Sequence, residues 1–187
     1  MKHPKLLYIK IKGIINNMRS KTIVFRNIIT KEAISFVFLT GAAVLAPLLG
    51  VQAVTGSVVN ATLFLGVLLT GVQGAVFVAI FPSLIALSSG LLPPVLAPMV
   101  PFIIMGNVIL IFTFDHFKNH FLRAVLVSSF LKFVFLYSSS ILVVDLIAKE
   151  AIASNAALMM SWPQLLTALL GGLIAGCVSG VLKIRNN

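Results

Sequence analysis

From Ala33 to Phe114 the chain runs 82 residues without one Asp, Glu, Lys or Arg. That is several times the length of the longest apolar core helix in a soluble domain. About 20 apolar residues cross a hydrocarbon core roughly 30 Å thick, so this stretch holds three or four crossings of a bilayer. Its punctuation divides it. A first span is expected over 33–49, with Thr30 as N-cap, Glu32 near the positive end of the helix dipole, and Pro47 and Gly50 ending it. A second runs over 57–70, or from Gln52 if the helix begins earlier, and Gly71 and Gly74 break it from a third over 75–92 that Pro82 is expected to kink.

The proline-rich segment from Leu92 to Pro101 cannot be regular helix throughout and leads into a fourth span over 98–114. A fifth covers 121–148, a loop occupies 149–162, and a sixth runs over 163–182. The predicted fold is all-α: a polytopic membrane bundle of six helices over 32–183. An amphipathic, basic cytoplasmic segment precedes it over 1–31, and a short cytoplasmic tail follows over 184–187. Within residues 1–20, Leu7, Ile11, Ile14, Ile15 and Met18 share one helical face, the pattern of a helix lying on the inner leaflet against membrane lipid.

Charge tests the count. Eight of the fourteen Lys/Arg fall within the first 31 residues. With six spans and both termini inside, Lys118, Arg123, Lys183 and Arg185 are also cytoplasmic, and only Lys149 lies outside. Merging the second and third spans would put Lys118 and Arg123 outside, against the positive-inside rule. The formal charge of +10 therefore reads as a topology signal and anionic-lipid contact, not as nucleic-acid binding, since no basic domain or aromatic stacking platform accompanies it. With 59% hydrophobic and 10% charged residues there is little room for any extramembrane domain.

Candidate chemistry is sparse. No GxxxxGK[ST] sequence occurs, so ATP is not hydrolysed here by a P-loop. The four carboxylates, Glu32, Asp115, Asp145 and Glu150, are scattered, which leaves no pair for acid–base catalysis and no metal site. His116 and His120 have metal-ligand spacing but read as part of a solvated inner loop, and Cys177 reads as a packing residue. No catalytic residue, metal or cofactor is expected. The last span carries Ala168, Gly172, Gly176 and Gly180 at four-residue spacing, beside Thr167, Gly171, Ala175 and Ser179. These rows suit close helix packing, within the bundle or against a separate subunit.

Polar groups inside the membrane carry more information, because a charge near the bilayer centre costs several kcal/mol unless paired, hydrated or ligand-bound. Lys132 lies eleven residues into the fifth span, about 16 Å deep at ~1.5 Å rise per residue. Asn107, in the fourth span, falls at nearly the same depth. Snorkelling, a salt bridge to an inner-end group and a ligand role are all open to Lys132. The last makes Lys132, Asn107, Asn60 and Tyr137 a candidate substrate site, with Trp162 as interfacial anchor or lid. Gln52 and Ser138–Ser140 could add hydrogen bonds, and Lys132 motivates an anionic group on the substrate.

The overall pattern resembles the substrate-binding S components of energy-coupling factor vitamin transporters. The likeness is carried by Val59-Asn60-Ala61, the Gly71 to Gly74 break, Pro82, and Gly90-Leu91-Leu92-Pro93-Pro94 through Pro98 and Pro101 to Gly106-Asn107. It implies capture of a vitamin or related micronutrient from outside, in a pocket of outer loops and spans four to six. It also implies a transmembrane T subunit and two cytoplasmic ATPases as partners, in a prokaryotic cell membrane. The family docks through alanines at four-residue spacing on the first helix, a role for which Ala42 and Ala46 match in type. Two rival readings remain. A self-contained secondary transporter or channel would want an intramembrane carboxylate, for which Asp145 is the candidate; a non-transport membrane scaffold would use the same small-residue faces.

Overall fold

The computed structural model describes residues 31–90, 94–147 and 160–182. The expected N-cap Thr30, the amphipathic segment within 1–20, the loop at 149–159 and the tail at 184–187 lie outside those residues. The chain divides into two units, Met1–Ile34 and Ser35–Asn187. Of the first, only the opening turn of a helix falls among the described residues. The fold that follows is that of the second.

The described residues form helices, five of which are long and apolar enough to cross a membrane. The chain thus has the make-up of a helical membrane protein. Helix α1 spans Lys31–Leu49 and closes in a tight 3-10 turn, Ala46–Leu49, with Pro47 inside it and Gly50 as its cap. Helix α2 covers Gln52–Ser88 as two helical arms joined across a kink at Gly71. A 3-10 stretch, Pro94–Met99, leads into α3, Val100–Phe117, as the prolines require. Helix α4 spans Phe121–Ile147 and α5 spans Trp162–Val181.

Helix α2 is the departure from simple expectation. Its 37 residues would measure about 55 Å if straight, nearly twice a hydrocarbon core. It is not straight: Gly71 sits at φ 74°, ψ 179°, a region open in practice to glycine alone. In a straight helix Gly66 and Ala75 would stand about 13 Å apart. Instead, a Cβ built on Gly66 would meet the Ala75 Cβ at 3.2 Å and its Cα at 3.3 Å. The two arms, 52–70 and 72–88, therefore fold back on each other as a hairpin. Leu63, Phe64 and Val67 from one arm and Ala75, Val78 and Ala79 from the other enter one buried cluster.

Around that hairpin the remaining helices close the core. Phe64 meets Phe114 of α3 edge-on at 4.8 Å, and Phe114 meets Phe121 of α4 at 5.7 Å. Helix α5 presses its small-residue face inward. A Cβ on Gly171 would fall 2.6 Å from the Asn60 Cβ and 2.8 Å from backbone atoms of Ala61 and Ser57, so the two helices touch backbone to backbone there. Gly172 lies against Val125, and Gly176 against the Phe121 ring. The rows of small residues in α5, apart from the exposed Gly180, thus pack within the bundle, while Leu173, Ile174 and Val181 stay exposed on its other side, suited to lipid.

Candidate functional site

Three helices each bring one long polar side chain to a single point. Asn60 lies eight residues along α2, Asn107 seven along α3 and Lys132 eleven along α4, depths of about 10 to 16 Å from their helix starts. The Lys132 Nζ donates to the Asn60 Oδ1 at 2.6 Å and to the Asn107 Oδ1 at 2.7 Å. All three residues are buried, at 3%, 1% and 2% exposure. Lys132 therefore does not snorkel to an interface, and no carboxylate pairs with it among the described residues.

The geometry of the set follows from its chemistry. An ammonium offers donors only, so both amides must turn their oxygens to it and direct their NH2 groups away. Two neutral carbonyl oxygens solvate the charge without cancelling it. Of the acidic side chains that are described, Glu32 is exposed and Asp115 is taken by Lys118 at 2.8 Å, near the α3–α4 turn. Asp145 is thirteen residues further along α4 than Lys132, about 20 Å along the helix axis.

The triad borders a cavity of about 160 Å³. Its walls include Pro47 from the last turn of α1, Gln52 from the first turn of α2, Ser83 near the end of α2, Ile103 near the start of α3 and Pro163 at the start of α5, with Lys132 midway along α4. Asn60 and Ser83 share this small space although 23 residues separate them, which again requires the hairpin at Gly71. Alternate helix ends meet around the cavity, so it belongs to the end of the bundle where α1 passes to α2. The α3–α4 turn, with Lys118 and Arg123, is at the other end.

No family model, curated protein or solved structure matches this chain. Its site is therefore read from its own residues.

Of the five substrate-site candidates, Asn60, Asn107 and Lys132 come together. Tyr137 does not join them: it is 46% exposed and stacks on Phe133 at 5.9 Å. Trp162 is 62% exposed at the first turn of α5, the position of an interfacial anchor, although its neighbour Pro163 lines the cavity. Ser139 and Ser140 bond to carbonyls of their own helix. On α1, Ala42 is partly buried. Ala46 is buried, and its carbonyl accepts from the Thr55 Oγ1 at 2.9 Å.

Sequence reasoning did not find Thr55, Pro82, Ile103, Met160 or Thr167, all cavity walls. Pro82 was expected only to kink its helix; its ring, buried and facing the cavity, is a wall as well. The available signal was the prolines that open or close helices at one end of the bundle, Pro47 and Pro163 among them. No group of three metal-binding side chains occurs among the described residues.

Proposed function

We propose that this chain is the substrate-binding membrane subunit of an energy-coupling-factor-type importer, which captures a vitamin or related micronutrient from outside the cell. The observation that carries the reading is the Asn60–Lys132–Asn107 set: a buried, hydrogen-bonded ammonium at mid-membrane depth, bordering a cavity built from every part of the bundle. A charge held there at a cost of several kcal/mol is best accounted for by a ligand. The resemblance in Val59-Asn60-Ala61 and the Gly90 to Asn107 region supports the same family, and two of its residues are members of the triad.

The two arms of α2 count as separate crossings, which makes six. Both termini are then cytoplasmic, in the cell membrane of a prokaryote. The seven basic residues before α1 and Lys31 at its start lie on the inner side with Lys118 and Arg123, in keeping with the positive-inside rule. On this topology the cavity faces outward, as a capture site must. With Cys177→Ser as background, single cysteines replace Gln73, Asn119 and Gly90, all at exposed positions. In intact cells a membrane-impermeant maleimide labels the Gly90 site and spares the Gln73 and Asn119 sites. Labelling of Asn119→Cys from outside would sink the count of six.

The subunit carries no ATPase motif, so energy comes from a T-type transmembrane partner and two cytoplasmic ATPases. Docking uses α1. Val37, Phe38 and Leu45 are among its exposed apolar residues, Ala42 sits beside them, and Ala46 backs the contact from within. A C-terminal tag, mild detergent extraction of native membranes and mass spectrometry of what co-purifies test the assignment. Recovery of a T-type subunit with paired ATPases is expected. Repeated recovery of the chain alone, with ATPases present in the input, would favour a secondary transporter or scaffold instead.

A further inference from the structure

The cavity carries a positive charge that its described surroundings do not balance. Lys132 is 97% removed from contact with solvent, its two bonded partners are neutral amides, and the described carboxylates lie elsewhere. Helix geometry holds Asp145 about 20 Å away along α4. In a medium of low dielectric a lone ammonium attracts a counter-charge strongly. Here the open side of the ammonium is the cavity.

Donor chemistry points the same way. Two of the three ammonium hydrogens are used on Asn60 and Asn107, which leaves one. Each amide, having given its oxygen to Lys132, keeps an NH2 group with no partner among the described residues. The polar end of the cavity thus presents N–H donors around a positive centre, the arrangement that receives a planar carboxylate. A ligand ammonium placed there would meet like charge. A dianion would leave one negative charge buried without compensation.

Size narrows the rest. At about 160 Å³ the space is close to the ~150 Å³ engineered cavity that takes up benzene, so one six-membered ring is the scale of the guest. Val59, Pro82, Ile103 and Met160 supply apolar walls for ring faces.

We propose that the captured molecule is a small organic monoanion, one carboxylate on a body the size of a single ring, seated with the carboxylate on Lys132 and the two amide nitrogens. The proposal rests on the capture-site reading above and assigns its substrate a charge and a size. The full chain in lipid nanodiscs is titrated at pH 7.5 with benzoate and other one-ring monocarboxylates, beside the matching carboxamides and aminomethyl compounds, by calorimetry and thermal unfolding. At least one carboxylate binds ten-fold or more tighter than its amide, and the amines do not bind. In Asn107→Asp, which places an internal carboxylate on Lys132, the chain keeps its unfolding temperature and loses carboxylate binding at least ten-fold.

The charge class is overturned if an amide or amine binds as well as its carboxylate, if Asn107→Asp leaves carboxylate affinity unchanged, or if no carboxylate of the panel binds. Tighter binding of an amide would leave the capture site standing and remove only the anion. Co-purification with the T subunit and ATPases is measured without any ligand, so failure of the importer assignment is read separately.

Discussion

Lys132→Met weakens binding of the one-ring carboxylate by at least about thirty-fold while the bundle still folds. Truncating one partner of a buried, hydrogen-bonded charge pair ordinarily costs about 2 to 5 kcal/mol of binding, which is roughly 30- to several-thousand-fold in Kd. Methionine keeps the length and apolar stem of lysine, so the walls formed by Ile103 and Met160 are not disturbed. Two opposed effects bear on stability. Burial of an ammonium no longer has to be offset, whereas the Asn60 and Asn107 oxygens lose their donor at about 1 to 3 kcal/mol each where water cannot replace it. Both amides border the cavity, so water can. A change in unfolding free energy within about 2 kcal/mol is expected, measured by thermal unfolding alongside calorimetry. Retained affinity in a folded Lys132→Met chain would remove the lysine from the site.

Gly171→Val, by contrast, breaks the bundle and the site together. The new Cβ would fall 2.6 Å from the Asn60 Cβ and 2.8 Å from the Ala61 nitrogen and Ser57 oxygen, and backbone atoms cannot rotate aside. Helix α5 must move off the first arm of α2, at a cost of about 3 kcal/mol or more, since forced overpacking already costs 1 to 3 where side chains can yield. Asn60 is itself one of the contacts, so its amide leaves Lys132 and ligand binding falls with stability. Gly180→Ala is the matched control: nothing lies within 4 Å of its added Cβ, and the change is expected to be within about 0.5 kcal/mol. Gly176→Ala falls between, because the atom it meets is the edge of the Phe121 ring, which can tilt. Denaturation of the three variants in one detergent orders them. Equal stability of Gly171→Val and Gly180→Ala would mean that the α2–α5 contact is not tight.

The two sets of variants separate the roles of charge and packing. Lys132→Met moves stability by no more than about 2 kcal/mol and is loud in binding, and Gly180→Ala is silent in both. Gly171→Val fails in both, which identifies α5 as the strut that presents Asn60 to the cavity. The polar triad is thus held by a close backbone approach on one helix pair, and ligand affinity depends on a glycine that never touches the ligand.

Much of this was legible in the residue order. Eighty-two residues without a charge leave no solvent for them but lipid, and within lipid the backbone must be helical to satisfy its own N–H and C=O groups. Prolines, glycines and clusters of charged or polar residues then mark where the helices stop, within a few residues of the observed ends of α1, α3, α4 and α5. Lys132 stood out for the same reason: a charge at that depth demands an explanation wherever its partners prove to be. Which partners these are was another matter. Snorkelling, an ion pair and a ligand site are equally compatible with lysine at position 132. Its hydrogen-bond partners proved to be two asparagines, 72 and 25 residues away in sequence, reaching the same point. Tyr137 and Trp162 show the converse. Both have plausible chemistry at a plausible depth, and rotation of each helix about its axis, set by packing, turns them outward.

Residue order by itself determined the solvent, most of the secondary structure and the presence of one cation at a depth where burial is costly, because each follows from transfer free energies and backbone sterics acting locally. Tertiary structure alone decided that the chain doubles back at Gly71, that the small residues of α5 close on α2 and α4, and that Asn60, Asn107 and Lys132 share one cavity. Those outcomes depend on which helix faces meet. In lipid that choice is governed by shape complementarity and a few hydrogen bonds between residues far apart in the chain, and no local pattern encodes it.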